Sequence, residues 1–161
     1  MATLHVLHGL PGSGKSTFAQ GLAQRVNGLT VANDQWMNVL FPEPCARDQY
    51  LDHFNKIEEI QLTVARRALE CGIDVIWDYG VWTRHSRQKL VQSFSQVGCR
   101  LQFYSFECQA KIADSRVLRR DTRKHPSHSL NQPALDLFRS MFEPISVDEG
   151  LDVTIIKTDD R

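Results

Sequence analysis

The chain has 161 residues, with 19 Lys plus Arg against 19 Asp plus Glu, and is 42% hydrophobic and 24% charged. This length predicts one domain spanning residues 1–161, and the composition excludes a disordered tail, a collagen or a low-complexity array. Zero formal net charge argues against a surface that grips long stretches of phosphate backbone, because that affinity comes largely from surplus Lys and Arg.

In chain order, residues 3–8 form a short apolar run that reads as a strand and breaks at Gly9. The run is too short for a signal h-region or a membrane span, and no later stretch approaches ~18 uninterrupted apolar residues. A cytoplasmic protein without membrane association is therefore expected. Gly9-Leu10-Pro11-Gly12-Ser13-Gly14-Lys15-Ser16-Thr17 follows at once and matches G-x-x-x-x-G-K-[ST]. The glycines permit backbone conformations that turn several N–H groups inward as an anion nest. The helix that starts at Ser16 points its positive end at the same anion. Lys15 supplies a point charge for β- and γ-phosphates, and the Ser16 hydroxyl is placed to ligate Mg²⁺. Phe18, Leu22 and Val26 fall on one face of that helix, predicted over 16–26.

A second strand is predicted at 29–32, followed by Asn33 and Asp34. In open parallel sheets ligands sit beyond the carboxyl ends of the strands, the edge that also holds the phosphate loop. A carboxylate at Asp34 can accept the proton of an attacking hydroxyl there. It can equally cap a helical segment over 35–40. A long helix is predicted over 53–71 from Ile57, Ile60, Val64 and Ala68, and a third strand over 73–77. Asp78 closes that strand in the Walker-B manner, holding Mg²⁺ directly or through water, or serves as a strand-end turn residue. Helix 84–97, strand 100–106 and helix 110–123 come next. The last is unusually basic: Arg116, Arg119, Arg120, Arg123 and Lys124 crowd together, with Arg116 and Arg120 one turn apart on one face. That face reads as a lid (about 110–130) whose arginines close over a nucleotide and stabilise charge on a transferring phosphoryl group. Pro133 opens a helix over 133–142, and a fifth strand is predicted at 152–157.

Short strands alternating with amphipathic helices predict a parallel sheet covered on both faces, an α/β layer sandwich. Cys45, Cys71, Cys99 and Cys108 have no metal-ligand spacing and read as buried or semi-buried thiols. His125 and His128 are read as part of a solvated loop, with no third metal ligand nearby.

With these residues in hand the chain resembles the small P-loop kinases of the AAA-domain group that includes polynucleotide-kinase-like, chloramphenicol-phosphotransferase-like and zeta-toxin-like proteins. The resemblance rests on residues 8–17, on Asn33-Asp34, on Val75-Ile76-Trp77-Asp78 with Arg84 and Arg87 behind it, on the Arg116–Arg120 spacing, and on Phe142-Glu143-Pro144 with Glu149-Gly150-Leu151-Asp152-Val153. It implies the P-loop NTPase fold with a five-stranded parallel sheet of order 2-3-1-4-5, ATP and Mg²⁺ as cofactors, and transfer of the γ-phosphoryl group to an acceptor hydroxyl. It further implies Asp34 as general base and Asp78 as the Walker-B carboxylate. Arg116 and Arg120 become lid arginines, one near the phosphates and one on the adenine. Polynucleotide-kinase-like members place an arginine three residues after the base aspartate, whereas this chain has Met37 there, preceded by Trp36. A hydrophobic pair suits a neutral or apolar acceptor better than a nucleic-acid end. The expected function is therefore a small-molecule kinase. The alternatives are a polynucleotide 5′-hydroxyl kinase and a nucleotide-binding module or slow ATPase.

Overall fold

The computed structural model describes residues 1–43, 45–119 and 132–159. Five strands, β1 (Thr3–His8), β2 (Leu29–Val31), β3 (Val75–Trp77), β4 (Arg100–Glu107) and β5 (Val153–Lys157), form one sheet of order β2-β3-β1-β4-β5. Every neighbouring pair is parallel, which requires crossovers. Helices α1 (Lys15–Val26), α2 (Asn33–Leu40), α3 (Arg47–Glu70), α4 (Arg84–Phe94), α5 (Ala110–Leu118) and α6 (Gln132–Met141) lie between the strands. A 3₁₀ turn, Val147–Glu149, precedes β5. The expected α/β class and strand order are both observed.

The period-two alternation of the strands sorts side chains onto two faces. Leu4, Val6, Val31, Val75, Trp77 and Phe103 pack with Ala65 and Leu69 of α3 and with Leu90 and Phe94 of α4. Leu7, Ile76 and Phe106 pack on the other face with Ala19 and Leu22 of α1. The result is helix, sheet, helix. Trp77, Phe103 and Leu4 are wholly excluded from solvent, and each such side chain contributes roughly 1.5–3 kcal/mol through burial.

Several boundaries differ from the sequence expectation: α5 ends at Leu118 with Arg119 as its cap, against an expected helix over 110–123, and others shift by two or more residues. Helix α3 starts at Arg47, because its first turns are solvent-exposed on every side and so carry no apolar period to read. Its acidic Asp48 favours the N-terminal dipole end instead. Strand β3 starts at Val75, since Ile73 still bonds the helix end through Ala68 and Asp74 is engaged by the Thr3 and Leu29 amides. Helix α4 ends at Phe94, and Val97 closes a turn back onto it. The thiols also divide: Cys99 and Cys108 are half-buried, whereas Cys45 and Cys71 are exposed. Cys45 lies in a solvent-facing connection and Cys71 caps α3 at its outer end.

No helix among the described residues is long and apolar enough to cross a membrane.

Candidate functional site

Strand β1 delivers the chain to the sheet's carboxyl edge at Gly9, and α1 departs six residues later. The intervening turn depends on two glycines for different reasons. Gly12 has φ +79°, and a Cβ there would run into the Ala113 carbonyl of α5. Gly9 has an ordinary φ but no room, since a Cβ would lie 2.9 Å from Phe106 Cβ. The loop closes with Ser13 N–H on the Leu10 carbonyl at 3.2 Å. The first turn of α1 contains no acidic residue, so nothing from that turn competes with an anion for the dipole end. Ser16 and Thr17 are exposed at that end.

Lys15 Nζ donates to the Gly9 carbonyl at 2.7 Å and to the Leu10 carbonyl at 2.9 Å, crossing the mouth of the loop. From the opposite side Trp82 Nε1 donates to the same Gly9 oxygen at 3.2 Å. Arg116 of α5 holds the far end of the loop: Nη1 donates to the Gly12 carbonyl at 3.3 Å and Nη2 to the Thr158 carbonyl at 2.6 Å. Of the two expected lid arginines, Arg116 is thus brought to the phosphate loop. Arg120 lies outside the described residues, as do His125 and His128.

Asp34 sits in the first turn of α2 and is exposed. The helix begins at Asn33 with Ala32 as its cap residue, so the alternative of Asp34 as the cap is set aside. Beneath it Asn33 is fully buried and donates to the Phe54 carbonyl at 3.4 Å. Tyr79 is buried, its phenol pushed above the ordinary value by burial and then by Glu58. The phenol of Tyr50, on the adjoining first turns of α3 and still 42% exposed, is pushed up by the partial loss of water around it and then by the charge of Asp34. Phe41, just past α2, and His53 of α3 stack face to face with ring centroids 3.7 Å apart. Met37 is 5% exposed, which corrects the reading of Trp36 and Met37 as a pair facing the acceptor: helical phase turns Met37 into the core and leaves Trp36 half-buried.

Asp78 follows β3 directly. In the β1–β3 ladder Val6 pairs with Trp77, which sets Asp78 level with the last residues before the phosphate loop. The oxygens of Ser16 and Asp78 are hard donors of the kind Mg²⁺ takes one or two at a time alongside water and phosphate. The donor set fits that ion. Among the described residues no cluster of three His, Cys, Asp or Glu side chains forms a metal cage.

Two cavities flank the loop. One, of about 430 Å³, is bounded by Gly14, Thr17, Phe18, Arg25, Arg116 and Thr158. The other, of about 340 Å³, is bounded by Leu10, Pro11 and Ser13 together with Phe106, Leu135 and Arg139. Neither is lined by Asp34.

Behind the loop lies a network that sequence reasoning gave no chemistry. Arg87, 1% exposed, forms a two-pronged bond with Glu149, Nε to Oε2 at 2.7 Å and Nη2 to Oε1 at 2.6 Å. Its Nη1 reaches the carbonyls of Glu143 at 2.9 Å and Trp82 at 3.2 Å. The same nitrogen lies 3.2 Å from Nε2 of His8, the residue immediately before Gly9. Burial, then the Arg87 charge, lowers the His8 pKa to about 4, so the ring is neutral. Glu149 is held below the ordinary carboxylate range, chiefly by Arg87. Arg84 pairs with Asp148 and Arg100 with Asp152. The acidic stretch before β5 is therefore neutralised by the α4 and β4 arginines. Nothing periodic marks such pairs, which stand 52 to 64 residues apart; the one signal was Arg87, in phase with Leu90 and Phe94 on the buried face of α4.

The chain matches the AAA domain family over residues 4–145 and belongs to that family. No curated protein sequence matches it. Among solved structures it is similar to a candidate kinase from Chloroflexus aurantiacus, with TM-score 0.81 and 18% identity over 99% of this chain and 89% of that one. It is similar to a gluconokinase from Sinorhizobium meliloti, with TM-score 0.59 and 16% identity over 96% and 82%. It is also similar to one chain of the Pnkp1/Rnl/Hen1 complex, with TM-score 0.63 and 23% identity over 71% of this chain and 38% of that one. The likeness is one of fold: a kinase-like P-loop architecture.

Proposed function

We propose that this AAA-domain chain is an ATP- and Mg²⁺-dependent phosphotransferase that moves the γ-phosphoryl group of ATP to a hydroxyl of a small-molecule acceptor. The observation that carries it is the phosphate loop itself, a glycine turn between β1 and the uncontested dipole end of α1, with Lys15 across its mouth. Residues 9–17 hold the phosphates through backbone N–H groups, Lys15 and the exposed Ser16 and Thr17. The cavity beside Thr17, Phe18 and Arg25 receives the nucleoside, with Arg116 between it and the loop.

Ser16 and Asp78 would hold Mg²⁺, which supplies charge neutralisation on the phosphates when bound. The acceptor oxygen attacks the γ-phosphorus in line. The bond from that phosphorus to the bridging oxygen breaks, its electron pair leaves with ADP, and the acceptor proton passes to the Asp34 carboxylate. Lys15, the loop amides and Arg116 stabilise the charge that spreads over the transferring group. A small acceptor is favoured by the zero net charge, which gives no surplus of Lys and Arg to grip a nucleic-acid backbone. The similarity to a gluconokinase fold points the same way.

Labelled ATP offered with a panel of small alcohols and 5′-hydroxyl oligonucleotides tests the reading. Label on a small alcohol is expected, with Asp34→Asn abolishing transfer while ATP affinity stays within about threefold. Label on the oligonucleotides would replace the small acceptor by a nucleic-acid end, the activity class of the polynucleotide-kinase-like members that the sequence resembles. ATP binding without transfer to any acceptor would reduce the protein to a nucleotide-binding module.

A further inference from the structure

The Gly9 carbonyl is buried and takes two side-chain donors, Lys15 Nζ at 2.7 Å and Trp82 Nε1 at 3.2 Å. A carbonyl oxygen has two lone pairs, so both fit at once. The two donors differ in what else can claim them. The Lys15 ammonium is mobile on a four-carbon stem and bonds phosphate oxygens more strongly than a neutral carbonyl. The Trp82 indole is fixed. Its ring lies 4.9 Å from that of Phe138 on α6, and its backbone carbonyl accepts from Glu143 N–H at 2.9 Å and from Arg87 at 3.2 Å.

We propose that Trp82 is a positioning residue that holds the first peptide of the phosphate loop while Lys15 transfers from the Gly9 carbonyl to phosphate. The proposal rests on the phosphotransferase reading above. It makes the connection after β3, which also carries Asp78, the part of the molecule that registers nucleotide occupancy. In the free protein Gly9 has both donors; with nucleotide bound it depends on Trp82. Removing the indole N–H therefore penalises the bound state selectively.

Trp82→Phe keeps a ring against Phe138 and removes the donor. Its affinity for MgADP, measured by calorimetry, is expected to fall about tenfold, the cost of leaving a buried carbonyl without its donor. In a Lys15→Ala background Gly9 has lost the lysine in both states. There the same Trp82→Phe change should alter affinity, titrated into the millimolar range, by less than about twofold. Equal losses in the two backgrounds, or no loss in either, overturn the proposal, because a merely structural tryptophan would act additively. Phe138→Leu, which loosens the indole but keeps its N–H, is expected to give a smaller loss in the same direction. With 5-fluorotryptophan, the resonance missing from Trp82→Phe should shift on adding MgADP; an unmoved resonance counts against the proposal. A wild-type protein that binds no nucleotide overturns the phosphotransferase reading and this proposal together. Wild-type binding with undiminished affinity in Trp82→Phe overturns this proposal alone.

Discussion

Arg87→Met separates the two things the buried arginine does. The substitution keeps most of the side-chain volume but strips both guanidinium bonds from Glu149, leaving a carboxylate that is 3% exposed without its counter-charge. Breaking one partner out of a buried ion pair costs about 3–5 kcal/mol. The Glu143 and Trp82 carbonyls also lose a donor, at about 1 kcal/mol each in net terms. These losses overlap, and about 4 kcal/mol is expected, a large part of the roughly 5–15 kcal/mol that holds a domain folded. The Arg87→Met, Glu149→Leu pair removes the stranded charge. It should recover half or more of the loss and leave about 2 kcal/mol from the carbonyls and from the Ser146 N–H that Glu149 also caps. Urea unfolding at pH 7 with a common m-value measures both variants. A single-variant loss below about 1 kcal/mol would refute the assignment of this pair as the lock behind the loop. So would a double variant no more stable than the single.

Gly12→Ala forces an L side chain to φ +79° against the Ala113 carbonyl; a loss of about 2 kcal/mol and of at least tenfold in nucleotide affinity is expected. Wild-type affinity in that variant would show that the loop geometry is not needed. The His8 ring gives a pH signature. Its pKa falls from the ordinary 6.5 to about 4 on folding, so the unfolded chain binds the proton first and stability drops as pH falls through that window. Between pH 7 and pH 5 the drop attributable to this ring is about 2 kcal/mol, and Glu149, whose pKa is depressed from 4.5, adds a further loss only below that. Urea midpoints across this range should flatten in His8→Asn, and an unchanged slope would remove His8 as the cause.

Much of this protein was legible because local signals coincide with what they specify. The glycine spacing of residues 9–15 fixes a backbone path that few other residues can follow, and the alternation of short apolar runs with amphipathic segments fixes parallel strands with helical crossovers. Asp78 could be singled out because it follows β3 directly, and Asp34 because it lies within three residues of the end of β2; the carboxyl edge of a parallel sheet is one place.

The first turns of α3 escaped because a helix exposed on all sides has no hydrophobic period. Met37 was misread because helical phase, set by where α2 starts, decides which side chain faces the core. The Arg87–Glu149 pair, the neutral His8 beside it and the Trp82 bond to Gly9 join residues 62 to 79 positions apart, through side chains whose composition is unremarkable. Chain order determined the loop, the class of sheet and the edge where chemistry is to be sought. Only the packed structure decided how that loop is held. Charge pairing in a low-dielectric interior depends on distance in space, and no sequence period encodes that distance.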